Sequence, residues 1–283
     1  MNILSIQSAV AYGHVGNSAA VFPLQRIGHE VWPVYTVNFS NHTGYGRWQG
    51  PLIPASEVAA IIDGMDELGV LGRVDAVLSG YQGGDDIGEV IVETVSRVKA
   101  KNPNAVYACD PVMGNAKSQC YVSDNIPPLL RDKVVPAADI ITPNQFELGY
   151  LTGREATDLA STLAAVEAAK EIGPKTVLVT SVERPEADAE QSIEMIVSDE
   201  KGAWIVQTPR LPIKCNGSGD VAAALFTGHY LRSGDAKEAL EHTASSVFGL
   251  LQETFRADSR ELLVVEAQEH FAQPALEFTA EQL

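Results

Sequence analysis

The sequence predicts an α/β fold in which a mostly parallel sheet is covered by helices on both faces. Short β-branched runs alternate with longer segments of helical apolar spacing, a pattern typical of parallel strands joined by helical crossovers. After residue 181 two strand-like runs separated by Glu200 and Lys201 predict an antiparallel hairpin at the sheet edge. No linker or repeat interrupts the 283 residues, so we expect one domain over 1–283.

Each predicted element follows from its local pattern. The expected strands are β-branched runs at 2–7, 31–37, 74–79, 105–109, 138–142 and 175–181, then the hairpin strands at 192–199 and 202–209. The expected helices lie near 17–27, 56–67, 86–100, 145–151 and 158–172. Two further helices are indicated by apolar stripes at 222, 225, 226, 229 and 230 and at 240, 244, 247, 248 and 251. The polar stretches at 38–51 and 182–191 are expected to be loops.

Composition restricts the function classes. Lys and Arg number 20 against 37 Asp and Glu, and the net charge of −17 opposes non-specific binding to nucleic acid. No apolar run approaches the roughly 18 residues of a membrane span, and the N-terminus lacks the basic start of a signal peptide. The three cysteines have no paired spacing, which favours a reducing compartment. We therefore expect a cytoplasmic protein whose partners are small molecules.

The stretch Gly217-Ser218-Gly219-Asp220 precedes an apolar helical segment. Glycines at these positions let successive N–H groups point toward one spot, where a helix start adds its positive dipole end. Such a site suits a phosphate, and the neighbouring carboxylate could take the proton of an attacking alcohol. The alternative is an ordinary capped helix, in which a first-turn acid contributes about 0.3–1 kcal/mol. The chain lacks both GxxxxGK[ST] and a GxGxxG after the first strand, so neither a Walker A loop nor a dinucleotide fingerprint is present.

Six segments together carry a family resemblance. They are QSAVAYGHVGNSAA (7–20), FSNHTGYGRWQG (39–50), SGYQGG (79–84), CDPVMGN (109–115), ITPNQFE (141–147) and GSGD (217–220). In this order the chain resembles the pyridoxal kinases of the ribokinase-like superfamily. The resemblance implies a ribokinase-like three-layer α/β/α sandwich and ATP-dependent phosphorylation of the 5′-hydroxymethyl group of pyridoxal, with pyridoxine and pyridoxamine as further substrates. The product would be pyridoxal 5′-phosphate in vitamin B6 salvage, and the protein would be a homodimer.

The resemblance also assigns the reacting and substrate-binding residues. It makes Asp220 the catalytic base and substrate contact, and Gly217, Ser218 and Gly219 the anion hole. Further contacts to pyridoxal are implied for Ser8, Val15, Thr43, Gly44 and Tyr81, the last of which would stack on the pyridine ring.

The same comparison assigns the nucleotide and cation sites. Asp110 and Glu147 would hold hydrated Mg²⁺, an ion that takes few carboxylates and keeps several waters. The remaining contacts to ATP are implied for Thr142, Asn144, Thr180, Ser181, Pro209, Arg210, Leu211, Lys214, Gly217 and Gly219. Thr180 and Ser181 could instead bind K⁺ or Na⁺.

Some features leave alternatives open. Asn115 stands where some relatives carry a second aspartate, so metal coordination there is in doubt. Lys117, like Lys214 and Arg210, either neutralises ATP or is solvated surface charge. Cys120 could add to the substrate aldehyde, although all three cysteines fit the role of small apolar fillers. The rival functions are a hydroxymethylpyrimidine or sugar kinase and a pyridoxal-phosphate carrier without catalysis.

Overall fold

The computed structural model describes residues 1–185, 187 and 191–283. Its strands are β1 (Asn2–Tyr12), β2 (Glu30–Asn41), β3 (Ala76–Ser79), β4 (Val106–Cys109), β5 (Gly114–Asn115), β6 (Gln119–Cys120), β7 (Ile140–Ile141), β8 (Thr176–Val182), β9 (Ser192–Ser198), β10 (Ala203–Pro209) and β11 (Glu281–Gln282). Its α-helices are α1 (Asn17–Arg26), α2 (Ala55–Glu67), α3 (Ile87–Lys101), α4 (Ile126–Leu129), α5 (Gln145–Thr152), α6 (Leu159–Ile172), α7 (Ser218–Ser233), α8 (Ala236–Arg256) and α9 (Glu269–Ala272). Short 3₁₀ turns occupy Thr43–Tyr45, Leu71–Arg73 and Val135–Ala137, and a π-helical turn occupies Leu130–Val134.

Among the described residues, nine strands form one sheet in the order β11-β10-β9-β8-β7-β4-β3-β1-β2. All pairs from β2 across to β8 are parallel, whereas β8, β9, β10 and β11 pair antiparallel. The predicted parallel sheet and the β9–β10 hairpin are therefore confirmed. The hairpin is not the outermost part of the sheet, however, because the short strand β11 pairs with β10 on its open side.

Helices cover the sheet on both faces, which confirms the three-layer fold. Successive side chains of β3 point to opposite cores: Val77 packs into one, and Ala76 and Leu78 pack into the other. The first core is closed by α2, α3, α5 and α6, and the second by α1, α7 and α8. Within the described parts of the chain, none of the helices combines the length and apolar character that a bilayer crossing requires.

Strands β1 and β2 continue beyond their predicted ends. Ala9 pairs with Asn38, Val10 with Phe39 and Tyr12 with Asn41, so the backbone hydrogen bonds of this polar stretch are made in the sheet. Residues 38–41 are therefore strand rather than loop, and Ser8 lies inside β1 rather than after it. Because β3 ends at Ser79, opposite Ile6, the β1–β2 ribbon projects past its neighbour and forms one wall of a crevice.

Helix α7 departs from the amphipathic pattern that its stripe predicted. Every residue from Val221 to His229 is buried, since α7 packs between α1 and α8 against the sheet. The stripe of α8 is buried at Leu240, Ala244, Val247 and Phe248 and half-buried at Leu251, but every residue from 243 to 250 is buried as well. Helices α4 and α9, strand β11 and the β5–β6 hairpin were not predicted, and residues 186 and 188–190 of the expected loop at 182–191 lie outside the described residues.

Candidate active site

A cavity of about 310 Å³ opens at the carboxyl ends of the parallel strands. The chain leaves β1 for β2 on one side and returns to β3 on the other, which makes β1 the point where the strand order reverses. In open α/β sheets, ligands bind at such points. Residues after β3, β4 and β7 line the cavity together with the projecting β1–β2 ribbon and residues 215–220. Its volume lies at the lower end of the range for small-molecule sites, roughly 300–1,000 Å³.

The turn at 217–220 forms the floor of this cavity. Gly217 caps α7 with φ 94°, a left-handed conformation that suits glycine. A Cβ at this position would also lie 1.9 Å from the carbonyl oxygen of His14, so the close approach excludes any side chain. The helix begins at Ser218, and its first N–H groups have no partner within the helix. The cavity floor is therefore a set of N–H donors at the positive end of a buried helix.

The Asp220 carboxylate faces this floor between two helix starts. The N–H groups of Gly16, which caps α1, and of Asp220 itself donate to it. Burial nevertheless dominates and raises the pKa of Asp220 to about 6. Gly16 takes φ 53°, and a Cβ there would lie 2.2 Å from Ser8 Oγ. Its small size thus lets the α1 start approach both the carboxylate and Ser8.

Glu147 is built into the local fold rather than projecting freely. It is the third residue of α5, and its carboxylate accepts N–H groups from Met113 at 3.0 Å, Gly114 at 3.3 Å and Asn144 at 3.0 Å. In return the Asn144 side chain accepts the Glu147 N–H at 3.0 Å, completing a capping box. A carboxylate that would be ordinary surface charge elsewhere on a helix is here buried and fixed at the cavity wall.

Asp110 lies beside it at the end of β4. Thr142 Oγ1 donates to Asp110 Oδ1 at 3.1 Å. Burial raises the pKa of Asp110 well above its usual range, and the charges of Glu147 and Asp220 raise it further. Burial raises the pKa of Glu147 to about 7 although its backbone donors oppose the shift.

The buried Asp110 and Glu147, together with the half-buried Asp220, create a demand for positive charge. Asp110, Glu147 and Asp220 line one cavity, and none of the lining residues in the described structure is Lys or Arg. A hydrated Mg²⁺ fits this donor set, because it prefers oxygen ligands and needs only one or two carboxylates.

The opposite end of the cavity is apolar. The buried side chains of Val10, Val15, Val37 and Phe39 form a cluster against which Tyr81 packs. Burial raises the pKa of the Tyr81 phenol, which keeps the ring neutral. An aromatic heterocycle suits this cluster of Val10, Val15, Val37, Phe39 and Tyr81, the apolar box.

Two hydroxyl groups, those of Ser8 and Thr43, add polar contacts to the apolar box. The adjacent Gly44 lies outside the lining, where its N–H donates to His42 Nδ1 at 3.0 Å. Its implied contact with the substrate stays a prediction.

A second cavity of about 210 Å³ adjoins the first. Thr180, Ser181, Cys215, Ser218 and Gly219 line both cavities and form their common border. The remaining walls come from β9, the end of β10, the residues after β10, one residue of α7 and the inner face of α8, namely Ile193, Glu194, Met195, Thr208, Pro209, Arg210, Leu211, Ile213, Ala222, Ala244, Val247, Phe248 and Leu251. This elongated, largely apolar groove suits a nucleoside.

Basic residues contribute little to either cavity. Arg210 lines the second one and pairs with Glu183 Oε1 at 2.6 Å. Lys214 is exposed and, like Lys117, lies outside both linings, so a role for either lysine in neutralising ATP stays a prediction.

Comparisons with known proteins identify the family. A family model described as phosphomethylpyrimidine kinase matches residues 68–264. The pyridoxal kinase PdxY of Corynebacterium diphtheriae is 70% identical, and that of Leifsonia xyli subsp. xyli is 66% identical, each over 100% of this chain and 100% of its own length. The chain belongs to the pyridoxal kinase family. Among solved structures of this family, pyridoxal kinase from Leishmania donovani in complex with ADP and pyridoxamine superposes with a TM-score of 0.93 at 29% identity, covering 100% of this chain and 99% of that one.

Several lining residues of this pyridoxal kinase family member were missed from the sequence. Gly16, whose N–H donates to Asp220 although Gly16 lines neither cavity, was also missed, and its place in a quoted segment was the available signal. Tyr121 follows the unpredicted β5–β6 hairpin and gave none. Cys215 lines both cavities, whereas Cys109 is a buried filler and Cys120 is exposed outside the linings.

Proposed function

We propose that this chain transfers the γ-phosphoryl group of ATP to the 5′-hydroxymethyl group of pyridoxal. One observation carries the proposal: the Ser218–Gly219 helix start lies on the border of the two cavities, and Asp220 lines the first cavity but not the second. An alcohol bound in the first cavity and a triphosphate reaching in from the second would meet at a carboxylate and a row of N–H donors. The names of the relatives, all pyridoxal kinases, agree with this arrangement.

Asp220 acts as general base in this mechanism. With a pKa of about 6 it is ionised at neutral pH, yet it is basic enough to accept the hydroxyl proton as the oxygen attacks phosphorus. The N–H groups of Ser218 and Gly219 face the oxygens of the transferring group and stabilise charge that develops there. The Tyr81 ring and the valine cluster orient the heterocycle so that its hydroxymethyl arm points to Asp220.

Asp110 and Glu147 would hold hydrated Mg²⁺, whose charge, when bound, neutralises the phosphate oxygens. Thr142 orients Asp110, and the three N–H donors fix Glu147. Thr180 and Ser181, at the cavity border, are the candidates for a K⁺ or Na⁺ site.

We also propose one domain, a cytoplasmic location and a homodimer. One nine-stranded sheet, whose strands come from residues 2 to 282 of the described chain, supports one domain. The net charge of −17 and the absence of paired cysteine spacing support a reducing aqueous compartment. The homodimer rests on the family resemblance.

The second candidate is phosphorylation of hydroxymethylpyrimidine, favoured by the description of the matching family model. A coupled assay of ADP release with pyridoxal, pyridoxine, pyridoxamine and hydroxymethylpyrimidine decides between them. We expect the highest kcat/KM with a B6 vitamer. A higher value with the pyrimidine would overturn the proposal, and ATP-independent vitamer binding without turnover would indicate a carrier.

A further inference from the structure

One carboxylate outside both cavities joins two loops that flank the first cavity. Glu261 Oε1 accepts the Tyr45 hydroxyl at 2.5 Å, and Oε2 accepts the His14 N–H at 3.3 Å. Tyr45 ends the 3₁₀ turn after β2, and His14 lies in the loop between β1 and α1. Glu261 is 216 residues from Tyr45 in the chain, so its position is a property of the tertiary fold.

The Tyr45 ring is held from several directions. The Arg260 guanidinium lies 3.7 Å from its centroid, and Tyr12 packs edge-on at 6.2 Å. The hydrogen bond to Glu261 raises the pKa of Tyr45 to about 12, so the phenol stays a donor at neutral pH. Tyr45 is thus clamped between Arg260, Glu261 and Tyr12.

Both tethered loops present residues to the substrate cavity. The turn that ends at Tyr45 begins with Thr43, which lines the apolar box. The other loop continues from His14 to Val15, which packs in that box, and to Gly16, whose N–H faces Asp220. Movement of either loop would change the width of the site where the vitamin ring lies.

Glu261 itself has a firm base. The next residue, Leu262, is fully buried, and it lies 3.2 Å from the position of a Cβ built on Gly217. A Cβ on Gly13 would lie 2.1 Å from Glu261 Oε2, so the loop approaches the carboxylate at a position where only glycine fits. The carboxylate is therefore anchored to the same core as the turn at 217–220, the catalytic turn.

We propose that Glu261 is a positioning residue for the vitamin: it ties the Thr43 turn to the Val15 loop and so sets the spacing of the apolar box. The inference rests on the proposed function, because it concerns the binding of that substrate. Glu261 touches neither the reacting atoms nor the nucleotide cavity.

The test compares Glu261→Ala, Glu261→Gln, Tyr45→Phe and the Glu261→Gln/Tyr45→Phe double variant, with the exposed Glu266→Gln as matched control. A charge-assisted hydrogen bond exceeds a neutral one by roughly 1 kcal/mol, so we expect the KM for pyridoxal to rise about fivefold in Glu261→Gln. Glu261→Ala should lose more, because the Gln amide oxygen can still accept the Tyr45 hydroxyl. The effect of the double variant should be smaller than the sum of the two single effects, because both substitutions weaken the Tyr45–Glu261 contact and only Glu261→Gln weakens the His14 contact.

The split between kinetic constants separates positioning from general damage. We expect kcat and the KM for ATP to stay within about twofold of the wild type, because the catalytic turn and second cavity are untouched. Equal changes in both KM values, additive effects in the double variant, or the same effect in Glu266→Gln would overturn the inference. Calorimetric titration of the same variants with pyridoxal measures binding without turnover. If the wild type fails to phosphorylate pyridoxal, the proposed function is refuted. The binding affinities of the variants still decide whether Glu261 positions the vitamin.

Discussion

Replacement of Asp220 by Asn tests the central chemical step. The amide keeps the size of the carboxylate but cannot take the hydroxyl proton, so we expect kcat to fall by about 10²–10⁴, the usual scale for a lost general base. The KM for ATP should change little, because Asp220 lines the first cavity and not the nucleoside groove.

The pH dependence of the wild type gives a second reading of the same group. With a pKa of about 6, Asp220 is ionised in about 91% of molecules near pH 7 and in about 9% near pH 5. We therefore expect kcat to fall about tenfold over that interval, and this acid limb should be missing from the residual activity of Asp220→Asn.

Asp220→Asn should raise the stability of the folded protein at neutral pH although it lowers kcat. The pKa of Asp220 is raised from 3.8 to about 6, so the folded state binds the proton more tightly than the unfolded chain. Its stabilising contribution is complete below about pH 3.8 and is lost as pH rises through about 6, which leaves the ionised carboxylate as a cost at neutral pH. The Asn variant avoids that cost, and we expect its Tm at neutral pH to exceed that of the wild type.

The assay couples ADP release to NADH oxidation, with thermal unfolding measured on the same samples. Asp235→Asn is the matched control, because Asp235 also stands at a helix start, where its side chain accepts the Glu238 N–H at 3.0 Å, and Asn caps equally well. Near-normal kcat in Asp220→Asn, or an acid limb that persists in it, would refute the role of Asp220 as base.

Three further expectations follow from the same geometry. Tyr81→Ala should raise the KM for pyridoxal more than that for ATP, because Tyr81 packs only against the apolar box; equal increases would contradict the stacking role. Gly217→Ala should lose most of kcat, because its Cβ would lie 1.9 Å from the His14 carbonyl oxygen at φ 94°. The control Gly153→Ala, which has open space around the Cβ at φ 65°, should retain kcat, and an equal loss in both variants would refute the steric argument. Chelation with EDTA should abolish turnover and added Mg²⁺ should restore it, because the three carboxylates of the described site, of which Asp110 and Glu147 are buried, lack a basic neighbour in the cavity lining; turnover that survives chelation would exclude the proposed ion.

The three-layer arrangement could be predicted from the sequence, because the spacing of apolar residues within each short segment indicates whether it forms a strand or a helix. The alternation of apolar strands and helices determines a parallel sheet, and residues at the carboxyl ends of its strands meet at one edge. The resemblance assigned Asp110, Thr142 and Thr180 to the nucleotide and cation sites, and the structure brings all three to the first cavity.

Features that depend on pairing between distant segments were not accessible. The extension of β1 past Ser8 needs β2 as its partner, and the all-round burial of residues 221–229 in α7 needs α1 and α8 on either side. Glu261 gave no local signal, since the two partners of its carboxylate are more than 200 residues away in the chain. Short elements such as β5, β6 and β11 have too few residues to show a period.

The burial of α7 on all sides has a consequence for how the molecule moves. A helix that is packed against its neighbours around its whole circumference cannot tilt or slide without opening the hydrophobic core. We therefore expect the amide protons of residues 221–229 to exchange with solvent only when the entire protein unfolds. Asp220 is fused to the first turn of this immobile rod. Admission of reactants and escape of products must then be accomplished by the rim around it, while the proton acceptor remains stationary throughout the turnover cycle.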